Sequence, residues 1–573
     1  MTNNKIRYKP IQEEILEIAN AHGNSPEAAL EVLTDIQAER GGLSQEDLKD
    51  ASRAVGVPAH QTYGAVTFYS LMSLEPKENV VRVCNGAACW LKRAGETHQA
   101  FEDAIIDEGW HVEHTSCLGM CDRAPAVLIN DEQAGPIPAE KAKDALKGFR
   151  GKMPDYGTPR KGEVRAMMAL AGTIDPDSIQ SALENGVYDG LKKSLAMKPE
   201  EVIAEVEASK LQGRGGAGFP ASRKWQFVAA EKGTPKYIIC NADESEPLIF
   251  KDRVLIDSNP HQLLEGMAIA AYAIGASEGW IYIRGEYEYQ ARRLENAISQ
   301  AEEKGWLGKD IQGSGFNFKI HVHRGAGAYI CGEETALIES LEGKRGEPRL
   351  RPPYPPQAGF RGQPTAVNNV ETLAATAVIM QNGADWWNSL SDYETPGTKL
   401  YMILGHVNNP GLFEAPFGIT LRQAIEEFGG GMKEGSEFQF ALTGGAAGTI
   451  VDKSKLDIPI DFASYKNGIG LGAGAFLIVD QSVSPVAFLR EELRFFSFES
   501  CGKCTPCRVG THRAFEILKR MTAGNGKVGD VAKLKILANH ITQASFCGLG
   551  QSVWIPMNSA MEAFAEDFEK AER

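Results

Sequence analysis

The sequence predicts a multidomain chain of α/β and α+β units with helical segments at both ends, and three observations carry that prediction. The 573 residues suit about four domains of ordinary size. The pattern changes along the chain from helical, to strand–helix alternation, to shorter strands, and finally back to helices. Eight of the ten cysteines fall into two groups of four, one toward each end.

Residues 1–75 read as a helical subdomain. EEILEIA, AALEVLTDIQAER and SQEDLKDASRAVG each carry helical spacing, and Ser44 with Glu46 and Asp47 behind it gives an N-cap followed by acids in the first turn. In 76–150, ENVVRVC is a strand running into Cys84, AGETHQAFEDAII a helix, and PAVLIND a strand ending in a turn. Residues 151–165, polar and rich in Gly, Pro and Lys, read as a linker. In 166–395 the helix PEEVIAEVEAS, a glycine loop, the helix SRKWQFVAAEKG and the strand KYIIC open an α/β domain. Residues 396–483 form a small α+β unit around TLRQAIEEFGG, and 484–573 are helical around the last four cysteines.

Hydrophobic content of 43% and charged content of 24% are those of ordinary globular domains, while 60 glycines point to ligand-cradling loops. A net charge of −15 argues against nucleic-acid binding, which needs a positive footprint, so an anionic ligand requires local basic pockets. The start lacks a signal-peptide core and no apolar run reaches the length of a membrane span, so the expected location is cytoplasmic, without membrane insertion.

Four residues separate Cys84 from Cys89 and three separate Cys117 from Cys121, whereas Cys501, Cys504 and Cys507 form CxxCxxC with Cys547 further on. Four thiolates satisfy a 2Fe-2S or a 4Fe-4S cluster, and structural zinc also uses four cysteines. The CxxCxxC triplet with a distant fourth favours a 4Fe-4S cubane, and the gaps of the first group are odd for zinc. Two clusters on one chain imply electron transfer. Cys240, in a strand, and Cys331, in a glycine loop, read as inert buried thiols.

Gly213-Arg214-Gly215-Gly216-Ala217-Gly218 matches GxGxxG, yet a dinucleotide fingerprint follows a strand and here the preceding segment is helical, so a Rossmann domain is not expected. The loop is then either a simple turn or a phosphate cradle, in which glycines let backbone N–H groups approach closely, Arg214 and Lys224 add charge and the helix after Pro220 offers its N-terminus. A second glycine loop holds Gly325, Gly327 and Gly332. The run Asn241 to Pro247 at the end of KYIIC is a solvated turn, a metal site, or a set of acceptors for ribose-type hydroxyls. Residues 344–361 mix basic residues with prolines, as an extended surface loop or a basic wall with Tyr354 as a stacking surface. No HExxH, GxSxG or Walker lysine motif occurs.

Taken together, GRGGAGFPASRKW, NADESEP with KDR, GAYICGEETAL, PTAVNNVETL and ESCGKCTPCR closely resemble the FMN- and NADH-binding flavoprotein subunit of complex I and the related diaphorase subunits of NAD-dependent hydrogenases and formate dehydrogenases. Residues 1–150, with CNGAACWLKRA and CLGMCDRAPAVLIND, resemble the companion thioredoxin-like 2Fe-2S subunit, so the chain is similar to a fusion of the two. The resemblance implies a non-Rossmann FMN domain, a ubiquitin-like α+β domain and a C-terminal helical bundle holding a 4Fe-4S cluster. It places Gly213, Arg214, Gly215, Gly216, Lys224, Asn241, Asp243, Glu244, Ser245, Tyr329, Gly332, Glu333, Asn368, Asn369 and Thr372 around FMN. It assigns Phe219, Phe227, Arg351 and Tyr354 to NAD(H), with Glu246, near the nicotinamide, and Glu334 as the catalytic carboxylates. Cys501, Cys504, Cys507 and Cys547 map to the 4Fe-4S ligands, and Cys84, Cys89, Cys117 and Cys121 to the 2Fe-2S ligands.

Two departures stand out. Leu248-Ile249 replace the Gly-Thr common after the acidic run, and Arg351 and Tyr354 stand where many relatives have Lys and Phe. The implied activity is hydride exchange between NAD(H) and FMN, with single electrons relayed through the 4Fe-4S cluster to or from an iron–sulfur-containing partner. That partner is expected to be a soluble molybdenum or tungsten formate dehydrogenase, with a hydrogenase or complex I as alternatives. A scaffold that keeps clusters without nucleotide chemistry is the reading of another class, supported by Leu248-Ile249 alone.

Overall fold

The computed structural model describes residues 9–105 and 109–573; the opening residues and Ile106, the last of the expected AGETHQAFEDAII helix, lie outside them. The N-terminal helices are α1 (Glu13–Ala21), α2 (Ala29–Arg40), α3 (Gln45–Ala54) and α4 (Ala59–Val66). Ser44 caps α3 as expected: its hydroxyl accepts from Asp47 N and the Asp47 carboxylate accepts from Ser44 N. The tail of this subdomain packs on the second glycine loop, with Ser70 N and Leu71 N donating to the carbonyls of Gly327 and Ala326.

Next come β1 (Asn79–Cys84), α5 (Ala94–Ala104), β2 (Trp110–Thr115), β3 (Val127–Ile129) and β4 (Glu132–Ala134). They form a sheet of order β2-β1-β3-β4 in which β1 and β2 are parallel and β3 and β4 antiparallel to their neighbours. The cysteine loops leave the ends of β1 and β2, as the sequence implies.

Residues 151–165 connect two bodies without helix or strand, but they are strapped down. Tyr156 donates to Asp122 at 2.9 Å, and Arg160 donates to the carbonyls of Asn409, Pro410 and Phe428. The segment therefore ties the first cysteine domain to the α+β unit, a role its polar composition did not reveal.

The central domain contains α6 (Pro199–Ala208), α7 (Ala221–Ala230), β5 (Tyr237–Ala242), α8 (Lys251–Ser258), α9 (Pro260–Ile274), β6 (Glu278–Ile283), α10 (Glu288–Glu303), β7 (Lys319–Arg324), α11 (Glu334–Leu341), β8 (Thr365–Asn369) and α12 (Val370–Asn382). Its four strands are all parallel in the order β7-β6-β5-β8, so the chain reverses its direction of sheet growth between β5 and β8. Parallel strands need helical crossovers, which α9, α10 and α11 supply. Gly266 lets α9 pack against α12; a Cβ there would fall 2.0 Å from the Leu373 carbonyl oxygen.

The α+β unit comprises β9 (Thr398–Gly405), β10 (Gly411–Pro416), β11 (Phe438–Thr443), β12 (Thr449–Val451) and β13 (Ala475–Asp480). The order β10-β9-β13-β11-β12, with the β9–β13 pair parallel, is the ubiquitin-like arrangement. The chain ends in helices including α13 (Pro485–Glu499), α14 (Thr505–Thr522), α15 (Asp530–Ala544) and α16 (Trp554–Ala563). Among the described residues no helix is long and apolar enough to cross a membrane.

Candidate functional site

A reversal of strand order leaves a crevice at the carboxyl ends of the strands, and ligands of open α/β sheets bind there. Here that crevice opens between β5 and β8. It has a volume of about 290 Å³, and its lining includes Gly215 from the first glycine loop, Asn241 and Ser245 from the acidic run, Gly332 from the second glycine loop, and Asn369 at the end of β8. Ala473 of the α+β unit and Gly548 and Leu549 of the C-terminal helices close the remaining side. The GxGxxG loop indeed follows a helix, α6, and not a strand; Gly213 N donates to Phe219 O at 2.8 Å to close it, and Gly216 at φ +113 adopts a conformation that side chains disfavour.

Side chains in the cleft fix one another. Asn241 Nδ2 donates to the Gly332 carbonyl at 2.9 Å, and Asn369 accepts from Lys251 Nζ at 3.1 Å while donating to Asp252 at 2.6 Å. Lys251 and Asp252 line the cleft, although the KDR motif that contains them carries no such role in its sequence alone. Behind them Glu371 pairs with Lys251 at 3.2 Å and Lys399 at 2.6 Å, all three fully buried. Burial lowers Lys399 to about 7 against the pull of Glu371.

Glu246 is half-buried and lines the cleft. Tyr329 donates its hydroxyl to one carboxylate oxygen, Ala447 N donates to the other at 3.0 Å, and burial shifts the carboxyl upward. Past Glu246 a larger cavity of about 880 Å³ continues between the α+β unit and α16, lined in part by Gly216 and Trp554. Glu334 is partly exposed, 3.3 Å from Lys224 Nζ and 3.5 Å from Arg351, and Arg351 also meets Glu333 at 3.2 Å. Lys224 additionally donates to Val367 O at 2.9 Å. Glu333 caps α11 by accepting from the amides of Thr335 and Ala336. Phe219 and Phe227 are exposed with ring centroids 6.5 Å apart, and Tyr354 is exposed as well, which suits flat-ring stacking.

Several expected cofactor residues turn away from the cleft. Arg214 does not present its charge to a phosphate: its guanidinium is fully buried, 4.6 Å from the Phe417 ring and 5.9 Å from Trp387 and Phe462, with Nε and Nη1 unpaired. The loop causes this, because Arg214 N donates to Thr372 Oγ1 at 2.9 Å and that register points the side chain inward. Thr372 is thereby occupied, and Asn368 Oδ1 is likewise taken by Trp225 Nε1 at 3.1 Å. Glu244 lines the cleft, yet its carboxylate accepts from Asp252 N at 2.6 Å and Arg253 N at 2.9 Å at the start of α8. Burial, with Asp252 adding to it, raises Glu244 to about 8. Asp243 takes the Ser245 hydroxyl and borders a small enclosed pocket beside Cys117 and Glu499; burial raises it to about 7.

The two cysteine quartets gather as expected. Cys84, Cys89, Cys117 and Cys121 are all buried, with the Sγ atoms of Cys117 and Cys121 3.5 Å apart. Backbone amides of Gly86, Ala126 and Gly119 point at the sulfurs of Cys84, Cys89 and Cys117 at 3.4–3.5 Å, the surroundings an anionic cluster ligand needs. Cys501, Cys504, Cys507 and Cys547 converge on one cavity whose walls include Ile330, Phe546 and Leu549. Cys240 and Cys331 stand apart from both quartets, fully buried, with burial pushing both thiols upward.

Comparison with known proteins agrees with this geometry. The thioredoxin-like [2Fe-2S] ferredoxin profile matches residues 15–150, the Nuo51 FMN-binding domain residues 206–378, the SLBB domain residues 400–448, and the iron–sulfur binding region of NADH-ubiquinone oxidoreductase-F residues 487–571. NADH-quinone oxidoreductase F 2 of Rhizobium meliloti (strain 1021) is 46% identical over 385 residues, 67% of this chain and 91% of the relative. HndC, a component of the NADP-reducing hydrogenase of Solidesulfovibrio fructosivorans, is 45% identical over 413 residues, 72% of this chain and 84% of the relative. A chain in the crystal structure of air-oxidized NAD+-reducing [NiFe]-hydrogenase superposes with a TM-score of 0.82 at 30% identity, covering 96% of this chain and 94% of that one. The chain belongs to the NADH-quinone oxidoreductase F family, as an FMN- and 4Fe-4S-binding oxidoreductase component with a thioredoxin-like 2Fe-2S unit fused ahead of it.

Proposed function

We propose that the chain is the diaphorase subunit of a larger enzyme, exchanging hydride between NAD(H) and FMN and relaying single electrons through the C-terminal 4Fe-4S centre to or from a partner subunit. One observation carries this reading: Ile330 and Leu549 line both the cleft and the cavity of the C-terminal quartet, so one layer of apolar side chains separates the two sites. FMN supplies the conversion between two-electron hydride chemistry and one-electron transfer. The protein's part is binding and orientation. Gly215 and Gly216 admit a close backbone approach, Asn241 and Asn369 present amides into the cleft, and Lys224 and Arg351 place positive charge near its mouth, each already braced by Glu334. Phe219, Phe227 and Tyr354 offer rings to an adenine, and Glu246, pinned by Tyr329 and Ala447, lies at the inner end where a nicotinamide ribose or amide would be held.

The test is anaerobic purification followed by NADH–ferricyanide assay. Turnover with full flavin is expected; no turnover despite full FMN would favour a cluster scaffold without nucleotide chemistry. For the partner, the fused architecture is the ground for a molybdenum or tungsten formate dehydrogenase in the cytoplasm. The full-length likeness to a chain of NAD+-reducing [NiFe]-hydrogenase supports a hydrogenase partner equally well. Metal analysis of the co-purifying large subunit decides between them: molybdenum or tungsten for the first, nickel for the second. NAD in preference to NADP is part of the proposal, and a lower KM for NADPH than for NADH would overturn it.

A further inference from the structure

The loop carrying Cys117 and Cys121 is gripped by three buried side chains of the central domain. Arg284, just after β6, donates from Nη2 to the Cys117 carbonyl. Arg253, in α8, donates from Nε to the Gly119 carbonyl at 3.2 Å and from Nη2 to Asp122 at 2.7 Å. The Tyr287 hydroxyl lies 3.3 Å from the same Gly119 carbonyl and 3.0 Å from Glu244 Oε2, so two acceptors share its one proton. Gly119 sits at φ +68, and a Cβ there would fall 2.0 Å from the Tyr287 oxygen, so the loop and the ring are in contact. Glu244 joins the three: its carboxylate accepts from Arg253 N and Tyr287, and its backbone carbonyl accepts from Arg284 Nη1 at 2.9 Å.

We propose that Tyr287, Arg253 and Arg284, joined through Glu244, are positioning residues that set the reduction potential of the N-terminal 2Fe-2S centre from the flavin side. The inference rests on the Cys84, Cys89, Cys117 and Cys121 quartet holding that centre. Reduction adds one negative charge to the cluster, and cluster potentials respond to hydrogen bonds, net charge and burial. All three donors are buried and aim positive dipole ends at carbonyls of the ligand loop, where such fields are weakly screened. They therefore favour the reduced form. Arg253 is offset by Asp122 and Arg284 by Glu286, so Tyr287 is the member whose hydroxyl can be removed without altering net charge.

The experiment is Tyr287→Phe in the full chain, purified anaerobically, with redox titration followed by EPR of both clusters. Iron, sulfide and FMN content and the NADH–ferricyanide rate are expected to match the unsubstituted protein. At a fixed NADH to NAD+ ratio, the reduced-to-oxidised ratio of the 2Fe-2S centre is expected to fall about fivefold, the worth of one hydrogen bond, with the 4Fe-4S signal unmoved. An unchanged ratio, or an equal shift in both clusters, overturns the proposal. If Tyr287→Phe loses the centre, Arg253→Lys, which keeps the charge and gives up the fork on Gly119 and Asp122, is read by the same criteria. A missing 2Fe-2S signal in the unsubstituted chain would defeat the cofactor assignment and not the clamp.

Discussion

Leu248 stands where glycine is common in the family, and the structure shows why glycine suits the place: φ is +77, in the left-handed region. A side chain there costs about 1–2 kcal/mol. Leu248 is nevertheless fully buried, and removing a buried leucine side chain costs roughly 3–5 kcal/mol. Leu248→Gly regains the strain, loses the burial, and adds about 0.5–1 kcal/mol of backbone freedom to the unfolded chain. The net expectation is a loss of about 3 kcal/mol, even though the substitution installs the common residue. Leu248→Ala loses nearly the same burial and keeps the strain, so it is expected to be less stable than Leu248→Gly by about 0.5–1 kcal/mol, the reverse of the usual order of these two residues. A cofactor-laden multidomain chain unfolds irreversibly, so the comparison is of half-lives of NADH–ferricyanide activity at raised temperature. Alanine outlasting glycine would refute the left-handed assignment, and glycine matching leucine would refute the packing argument. All three proteins are expected to turn over at 25 °C, because Ile249, which lines the cleft, is untouched.

Cys504→Ser is expected to abolish the 4Fe-4S EPR signal and leave the 2Fe-2S signal, with Cys89→Ser doing the converse; loss of both signals from either variant would contradict two independent centres. Lys224→Ala is expected to lower FMN content several-fold on gel filtration, whereas Arg214→Met, which fills the Phe417 and Trp387 cage without charge, is expected to retain it. The opposite pattern of flavin content would return Arg214 to the cleft. Asp243 is raised from 3.8 to about 7, so the folded state keeps a proton the unfolded chain has already released, and stability falls as pH rises from about 4 to 7 by at most about 4 kcal/mol. Asp243→Asn lacks that term, so its thermal half-life is expected to exceed that of the unsubstituted protein at pH 8 and to match it at pH 4.5. An equal gain at both values would refute the burial argument.

Features encoded by neighbouring residues were legible in the sequence. Cysteine spacing gave the quartets, Ser44 with Asp47 gave the α3 cap, and the helix before GxGxxG excluded a Rossmann domain before any strand order was visible. The direction of a side chain is not encoded in that way. Arg214 and Lys224 are both cationic and flank one loop, yet one is drawn under the α+β unit by a backbone bond to Thr372, 158 residues away, while the other reaches Glu334. The same holds for Arg253, whose KDR motif is visible but whose partners Gly119 and Asp122 are more than 130 residues earlier.

This limit falls hardest on the feature that matters most for electron transfer. The wall between the cleft and the C-terminal quartet consists of Ile330 from a glycine loop and Leu549 from a helix after Cys547, two apolar residues with nothing in their local sequence to distinguish them from core. On the side of the first quartet, Asp243, Ser245 and Cys117 share one small pocket. The acidic run thus faces the cleft with Asn241, Ser245 and Glu246, and holds the cluster loop from behind through Glu244. An acid-rich turn reads locally as solvated because acids are usually exposed. Here Asp243 and Glu244 are buried because the run is a junction of three units: its carboxylates are matched by backbone amides and hydroxyls, and Arg284 takes the Glu244 backbone carbonyl, partners that the assembled fold brings to them.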